Sequence, residues 1–264
     1  MTLRLAFIVA VMAVITLVLA PSVIATAVVG ADRAAYGLMR AWCAALLALS
    51  RVRFETSGLE HLPEDGSYVV MSNHSSHFDG PTLILALRHP LYFVIKRELA
   101  RIPLWGWAVV KLGFIAVDRA NSERARSQMR AAVASVRSGR RVLVFPEGTR
   151  AADDGLLPFK KGGFHLAVDA GVPIVPLAVN RSRQVLPKGQ ASPTAGTIEV
   201  VVGRPIPTAG LGSDDVDRLA AETRSAITAM RRRDPGFSPS GSAVLRSRRR
   251  SAAGARLRTP CPRS

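Results

Sequence analysis

The chain has 264 residues, 48% of them hydrophobic, and a formal net charge of +17 at pH 7. That apolar content is enough for a sizeable core, and the length favours a single α/β domain with appendages. The two cysteines, Cys43 and Cys261, do not lie in a CxxC or Cys/His spacing. This pattern argues against a disulfide framework or a structural metal site, and for a reducing compartment. The basic charge favours an anionic partner such as phosphate, nucleic acid or a lipid surface.

The N-terminal region is apolar enough to associate with a membrane. Residues 5–31 carry no charge, and this run is longer than the roughly 20 residues that cross a bilayer core. A second apolar stretch, residues 34–50, is interrupted only by Arg40. It can either span the bilayer or lie along its interface. We therefore expect residues 1–50 to form a membrane-associated helical hairpin.

Basic residues set the expected orientation of this hairpin. Arg4 precedes the first apolar segment, and Arg51 and Arg53 follow the second. Because basic flanks stay on the cytoplasmic side, both ends of the hairpin and the domain that follows are expected on the cytoplasmic side of the cell membrane. The alternative is a signal peptide cleaved after residues 25–27, an A-x-A site, but the return of apolar character from residue 34 disfavours it.

The C-terminal residues 235–264 are rich in Pro, Ser, Gly and Arg and hold few large apolar side chains. Such a composition predicts disorder. The arginines there either attract anionic lipid or belong to a solvated tail without a role. The sequence thus divides into a membrane-associated segment at residues 1–50, an α/β domain at residues 51–234 and this basic tail.

Short β-branched runs alternate with helix-like segments through the middle of the chain. Several runs are apolar on both faces, which is typical of strands covered on both sides. Residues 121–137 have helical spacing, and another helix is predicted from Ser213. The alternation predicts an α/β fold in which helices flank a mainly parallel sheet, with the functional site beyond the carboxyl ends of its strands. The predicted strands are residues 51–56, 68–72, 92–96, 114–117, 141–146, 173–179 and 197–202.

The stretch SNHSSHFDGP, residues 72–81, places many polar side chains directly after an apolar strand. The helix after it is predicted to begin at Pro81, a favoured first helical residue. Because His74 precedes Asp79 by five residues, the carboxylate can accept from one ring nitrogen and leave the other free to take a proton. The alternative is structural, in which Asp79 or Gly80 caps the helix and His74 and His77 bind loop carbonyls.

A second polar loop, FPEGTR at residues 145–150, follows another apolar strand. It supplies a carboxylate, a flexible Gly-Thr turn and an arginine suited to bidentate phosphate contact. FKKGG at residues 159–163 opens a helical segment whose free N–H groups can hold an anion. Phosphate is the anion that these features favour, although Lys160 and Lys161 also fit a solvated surface turn.

Taken together, these motifs resemble the glycerolipid acyltransferases, closest to the 1-acylglycerol-3-phosphate (lysophosphatidic acid) acyltransferases. The family's NHxxxxD box is here Asn73, His74 and Asp79, and its FPEGTR box is complete. The resemblance covers residues 73–178. Relatives that use glycerol phosphate, other lysophospholipids or lyso-aminolipids share these boxes, so the acceptor lipid is less specified than the superfamily. The other matching positions are Lys96, Glu98, Leu99, Pro103 and Gly106, then GFIAVDR at 113–119, FKKG at 159–162 and VPIVP at 172–176.

The resemblance implies acyl transfer from acyl-CoA or acyl carrier protein to a lipid hydroxyl, giving phosphatidic acid in phospholipid biosynthesis, with no metal or other cofactor. His74 is implied as the base that takes the proton of the acceptor hydroxyl, and Asp79 as the residue that orients it. Lys96 either faces the developing oxyanion or a donor phosphate, or it pairs with Glu98 or is a charge that faces the membrane. The remaining candidates for the substrate-binding site are Asn73, which would also hold the loop in shape, Arg119, Glu147, Gly148, Thr149 and Arg150.

Two other function classes stay open on the sequence. Ser75 and Ser76 beside His74 would suit a lipid esterase, although the chain lacks a G-x-S-x-G elbow. The charge would suit a membrane protein that binds anionic lipid, whereas the absence of an aromatic-basic motif argues against nucleic acid. The expected partners are a lysophospholipid acceptor, acyl-CoA or acyl carrier protein, and the membrane bilayer.

Overall fold

The computed structural model of the chain describes residues 3–118, 120–153 and 155–231. Within those residues, seven strands form one sheet, and each overlaps a strand that the sequence predicts. The strands are β1 (Val52–Ser57), β2 (Val69–Ser72), β3 (Leu91–Lys96), β4 (Ile115–Val117), β5 (Arg141–Val144), β6 (Ile174–Asn180) and β7 (Gly196–Val202).

The order of strands across the sheet is β1-β7-β6-β2-β5-β3-β4. All neighbouring pairs are parallel except β6 and β7, which run antiparallel. The central strand β2 lies between β6 and β5. Parallel pairing brings the carboxyl ends of β2, β3 and β5 to one edge, where both predicted polar loops begin. The predicted α/β fold with a mainly parallel sheet is confirmed.

Helices cover both faces of the sheet. Their bounds show that the predicted helices at 121–137 and after Ser213 are present, the latter preceded by a 3₁₀ turn at Ser213–Asp215. Another 3₁₀ turn lies at Leu59–His61. The helices are α1 (Leu3–Val28), α2 (Asp32–Ser50), α3 (Asp79–Ala86), α4 (Arg97–Ala100), α5 (Trp105–Leu112), α6 (Ser122–Arg137), α7 (Gly162–Ala170), α8 (Ser182–Val185) and α9 (Val216–Arg231).

Alternate side chains of the strands pack into two separate cores. Val70 of β2 and Leu143 of β5 belong to the core shared with α2, α3 and α5. Val69 and Val142, on the opposite face of the same strands, belong to the core shared with α6, α7 and α9. Because both faces are covered, these strands are apolar throughout instead of alternating with polar residues.

Helix α2 packs against the α/β body. Cys43 is buried in the first core, and the Tyr36 hydroxyl accepts the N–H of Leu91 at 2.9 Å. Arg40, the charged residue within this apolar stretch, donates hydrogen bonds to carbonyls at the C-terminal end of α3, where positive charge is stabilised. These contacts join α2 to the domain surface. The Arg40 guanidinium donates to the carbonyls of Ile84, Leu85 and Leu87.

Helix α1 packs on α2 and α5 and leaves an apolar face uncovered. The Trp42 indole N–H donates to Thr16 Oγ1 at 2.9 Å, which holds the two helices together. Among the described helices, α1 is the one long and apolar enough by length and composition to cross a membrane. Its exposed side chains support membrane association. They include Leu3, Phe7, Val9, Val14, Leu17 and Val18.

Some sequence predictions differ from the observed elements. Helix α3 begins at Asp79 and not at Pro81, because the Asp79 N–H already bonds the Ser76 carbonyl in a turn that leads into the helix. The predicted strand at 141–146 ends at Val144. Arg119 and the basic tail lie outside the described residues.

Candidate active site

His74 lies in the loop between the central strand β2 and helix α3, at the carboxyl edge of the sheet. Its Nδ1 is 2.8 Å from Asp79 Oδ2. Because an ionised carboxylate can only accept hydrogen bonds, Nδ1 carries the proton and Nε2 is left as a proton acceptor. The Asp79 side chain is completely buried, whereas 20% of the His74 side chain is exposed. The five-residue spacing therefore produces the pairing that it predicts.

Asp79 also holds the backbone of the same loop. Its Oδ2 accepts the N–H groups of Ser75 at 2.7 Å and Ser76 at 2.9 Å, in addition to the His74 ring. Hydrogen bonds to a charged acceptor are stronger than those between neutral groups, so this oxygen fixes the loop and the ring together. Asp79 thus makes the expected contact to the His74 ring, whereas the helix cap of the structural alternative is not formed, because Ser75 and Ser76 precede α3.

Asn73 ties the end of β2 to the neighbouring strand β6. Its amide donates to the Val179 carbonyl and accepts the Val179 N–H, both at 2.8 Å. The residue is only 1% exposed. This pairing agrees with the expectation that Asn73 holds the loop in shape, and it uses both polar atoms of the side chain on the protein's own backbone.

Glu147 connects the second polar loop to the first. Its Oε1 accepts the His74 N–H and its Oε2 accepts the Leu157 N–H, each at 2.9 Å. The residue is only 3% exposed. Burial raises the pKa of the Glu147 carboxyl, and the two backbone N–H donors oppose part of that rise. Both carboxylate oxygens are thus directed at backbone groups and away from solvent.

The turn after Glu147 is compact because it contains glycine. Gly148 has a φ of +72°, in the left-handed region that favours this residue. A Cβ at this position would come 2.9 Å from Lys160 Cε, so the lysine side chain crosses directly over the turn. Thr149 is exposed and Arg150 is half-buried.

The Arg150 segment lies beside the His74 loop. The Ala151 N–H donates to the His74 carbonyl at 2.8 Å. On the other side, Lys188 Nζ donates to the Arg150 carbonyl at 3.0 Å, and Arg183 donates to the Ala152 carbonyl at 3.1 Å. The two polar loops that the sequence separates by about 70 residues therefore form one continuous structure.

Lys96 ends strand β3 and forms an ion pair with Glu98, at 3.4 Å. Both side chains are about half exposed, with 52% for the lysine and 54% for the glutamate. Such a surface pair is weak. Lys96 also lines the cavity described next, so the structure accommodates both of the roles expected of it.

An apolar cavity of about 370 Å³ opens beside His74. It lies between the sheet and the N-terminal helices, on the face covered by α2, α3 and α5. His77 and Lys96 lie among its few polar residues. A cavity of this size with few polar groups fits an aliphatic chain. Its apolar lining includes Trp42, Leu46, Ile84, Phe93, Ile95, Trp105, Val109, Phe114 and Phe145.

Two contributions to the site were not assigned from the sequence. The Phe145 ring stacks on the His74 ring, with centroids 4.0 Å apart and planes at 14°. Arg224 of α9 donates to the carbonyls of Leu156 and Leu157, each at 2.6 Å, next to the N–H that Glu147 accepts. Phe145 stands inside the FPEGTR motif, which could have indicated it, whereas no local pattern points to Arg224.

These groups form a proton-accepting site at the mouth of an apolar cavity. His74 Nε2 can remove a proton from a hydroxyl, and Asp79 stabilises the imidazolium that results. No group of His, Cys, Asp and Glu side chains suited to a metal ion occurs among the described residues. The arrangement fits proton abstraction next to an aliphatic substrate.

Comparisons with known proteins identify the family of this chain. Residues 53–180 match the family model described as Acyltransferase. The 1-acyl-sn-glycerol-3-phosphate acyltransferase of Pseudomonas aeruginosa is 36% identical over 205 residues, which cover 73% of this chain and 78% of that protein. Human 1-acyl-sn-glycerol-3-phosphate acyltransferase alpha is 39% identical over 177 residues, or 67% of this chain. The match spans 62% of the human protein's length.

A solved structure has the same fold. The crystal structure of the 1-acyl-sn-glycerophosphate (LPA) acyltransferase PlsC from Thermotoga maritima superimposes with a TM-score of 0.65 at 26% identity. The superposition covers 76% of this chain and 81% of the other.

Proposed function

Since this chain belongs to the acyltransferase family, we propose that it transfers a fatty acyl group from a thioester donor to the free hydroxyl of 1-acylglycerol-3-phosphate. The product is phosphatidic acid, the donor is acyl-CoA or acyl carrier protein, and the pathway is phospholipid biosynthesis. The names of the Pseudomonas and human relatives support this acceptor.

The observation that carries the proposal is the His74–Asp79 pair at the mouth of the apolar cavity. A catalytic base needs a free ring nitrogen near the hydroxyl, and an acyl donor needs an apolar space for its chain. The two requirements meet at His74, whose ring lines the cavity and is partly exposed.

The reaction then proceeds in one attack without a covalent acyl-enzyme. His74 Nε2 takes the hydroxyl proton as the oxygen attacks the thioester carbonyl, and Asp79 stabilises the imidazolium. The tetrahedral intermediate collapses, the carbon–sulfur bond breaks, and the imidazolium returns its proton to the thiolate. General base catalysis of this kind contributes about 10²- to 10⁴-fold to the rate.

The acceptor's phosphate is assigned to the turn after Glu147. Arg150 is half-buried there and lies on the segment that bonds the His74 loop. An arginine can hold a phosphate through two parallel hydrogen bonds. Gly148 and Thr149 complete this turn. Arg119, outside the described residues, is proposed as a second phosphate contact, and Lys96 as a contact to the oxyanion or to the donor.

The position of the loop serines disfavours a lipid esterase that uses a serine nucleophile. Ser75 and Ser76 are 5% and 0% exposed. The Ser76 hydroxyl oxygen accepts the Phe78 N–H at 3.2 Å. A serine nucleophile has to be accessible at the histidine, so these positions support an external hydroxyl as the nucleophile.

The protein is proposed to act at the cell membrane, with the active site on the cytoplasmic side. The exposed apolar face of α1 supports membrane association, and the cavity lies on the side of the domain that α1 and α2 cover. A lysolipid can then present its headgroup to His74 while its chain stays in or near the bilayer.

The proposal is tested by offering purified protein a panel of lysolipids with palmitoyl-CoA or palmitoyl-acyl carrier protein, and identifying the products by mass spectrometry. Phosphatidic acid from 1-acylglycerol-3-phosphate should form fastest. Preferred acylation of another lysolipid would change the acceptor, and release of free fatty acid without transfer would favour an esterase.

A further inference from the structure

A second cleft, of about 580 Å³, lies on the opposite face of the sheet from the apolar cavity. It is bounded by helices α6 and α7 and by the carboxyl ends of β3, β4 and β5. Its floor is apolar and includes Val117, Met129 and Val144. Residues of the family boxes at 145–150 and 159–162 contribute to its lining, whereas His74 and Arg150 do not line it.

The rim of this cleft is cationic. Arg126 and Arg130 stand one turn apart on α6 and are both exposed, and Lys160 comes from the segment before α7. Among the described residues that line the cleft, these three cations face one carboxylate, Asp169. Residues four apart lie on the same side of a helix, so the two guanidinium groups can act on one anion.

The start of helix α7 lies against the floor of the cleft. A Cβ on Gly163 would come 2.9 Å from Val144 Cγ1, so glycine allows the helix to begin directly on strand β5. Gly162 and Gly163 both line the cleft. The first N–H groups of a helix have no partner within it and favour an anion. The cleft thus combines an apolar floor with cationic groups and a helix start.

The cleft and the apolar cavity are neighbours near the carboxyl edge of the sheet. Val94 and Phe145 line both spaces. The Phe145 ring is the one that stacks on His74, at 4.0 Å. A single ligand that lies partly in each space would therefore pass next to the catalytic histidine.

We propose that this cleft binds the phosphopantetheine arm of the acyl donor. The inference rests on the proposed acyl transfer and extends it. The acyl chain occupies the cavity, the thioester lies at the shared edge near Phe145 and His74, and the pantetheine crosses the apolar floor. Its phosphate binds Arg126, Arg130 and Lys160. Acyl-CoA and acyl carrier protein share this arm, so the same groups serve either source.

The test uses the full-length double variant Arg126→Glu/Arg130→Glu in detergent, with Arg53→Glu as a control. Arg53 is an exposed arginine on the edge strand β1, so the control makes the same type of charge reversal outside the cleft. The donors are palmitoyl-CoA, palmitoyl-acyl carrier protein, palmitoyl-phosphopantetheine and palmitoyl-pantetheine. Melting temperatures establish that all proteins are folded.

The double variant should raise the KM of the phosphate-bearing donors by about tenfold or more, because hydrogen bonds to a charged phosphate are lost. The KM for palmitoyl-pantetheine, which lacks a phosphate, and the KM for the lysolipid should change less than about twofold, as should every KM in the control. The wild-type kcat/KM values for CoA and carrier-protein thioesters identify which source the protein prefers.

An unchanged donor KM, a rise in the lysolipid KM alone, or an effect on palmitoyl-CoA that is absent with palmitoyl-phosphopantetheine would overturn the inference. Calorimetric titration with coenzyme A does not depend on turnover. Weaker coenzyme A binding by the double variant than by the wild type and the control would support the cleft even if the proposed lysolipid were not acylated. Equal binding by all three proteins would overturn it.

Discussion

The carboxylate of Glu147 accepts the backbone N–H of His74 at 2.9 Å, which joins the two polar loops of the site directly behind the histidine. The other carboxylate oxygen accepts the Leu157 N–H at the same distance. Glu147 therefore contacts His74 through the backbone, and we propose that it positions the histidine, while the substrate contact expected from the sequence stays a prediction.

Replacing Glu147 by Gln tests this role. A glutamine can keep one acceptor oxygen, but its NH₂ group then faces a backbone N–H, which costs about 1–3 kcal/mol of stability. A small displacement of a catalytic group can cost about 10²-fold in rate. We expect kcat to fall by about 10- to 100-fold, with the KM for the lysolipid changed little. The control is Glu123→Gln, which makes the same change at an exposed position on α6. A selective rise in the lysolipid KM of Glu147→Gln would show instead that Glu147 contacts the substrate.

Arg224 of helix α9 contacts the backbone segment that holds Glu147 in place. Its guanidinium donates to the Leu156 and Leu157 carbonyls and lies 5.3 Å from the centre of the Phe159 ring. Arg224→Met should lower kcat more than it raises either KM, because Leu157 then no longer holds Glu147 in place. Arg224→Lys should restore only part of the rate, since an ammonium cannot bind both carbonyls in the same way.

The control for Arg224 is Arg218→Met on the same helix, which removes an exposed ion pair with Asp215. Exposed pairs contribute about 0–1 kcal/mol, so kcat and melting temperature should remain close to wild type. Equal losses of kcat in Arg218→Met and Arg224→Met would show that α9 acts only through general stability.

The fold and part of the site could be predicted because their causes are local. Apolar runs gave the strands, and the His74–Asp79 spacing lies within one loop. The links from His74 to Glu147 and from Leu157 to Arg224 join residues 73 and 67 positions apart in the chain. Such contacts depend on the order of the strands in the sheet, which the periodicity of apolar residues in the sequence does not reveal. For the same reason, the sequence did not indicate that Arg40 pairs with carbonyls of α3.

Arg150 is predicted to act mainly in acceptor binding. A phosphate contact made both before and during the reaction raises KM when it is removed, with a smaller effect on kcat. Arg150→Ala should raise the lysolipid KM by about tenfold or more, because its hydrogen bonds to a charged phosphate are lost, and Arg150→Lys should raise it less. A large change in the donor KM with an unchanged lysolipid KM would move Arg150 to the donor site.

The exposed face of α1 is predicted to hold the protein in the membrane. Wild-type protein should stay in the membrane fraction after washing with 1 M salt, because apolar burial is not screened whereas charge attraction is. The double variant Phe7→Asp/Leu17→Asp changes two exposed positions and should shift a large part of the protein to the soluble fraction. The control is Glu60→Gln, a change at an exposed polar residue outside α1, in the 3₁₀ turn Leu59–His61.

Salt release of the wild-type protein would instead point to the basic residues as the main membrane contact. Recovery of a mature chain that begins near residue 28 from a soluble extracytoplasmic fraction would support the signal-peptide alternative and separate the active site from a cytoplasmic donor.

The central claim is that His74, oriented by Asp79, is the base for acyl transfer. The most direct test is the initial rate of phosphatidic acid formation by wild type, His74→Ala and His77→Ala at equal melting temperature. His77 also lines the cavity, but the hydrogen bond to Asp79 is made by His74. The rate should fall by about 10²-fold or more in His74→Ala and stay within about threefold of wild type in His77→Ala. Equal losses in both variants, or substantial transfer by folded His74→Ala, would contradict the account.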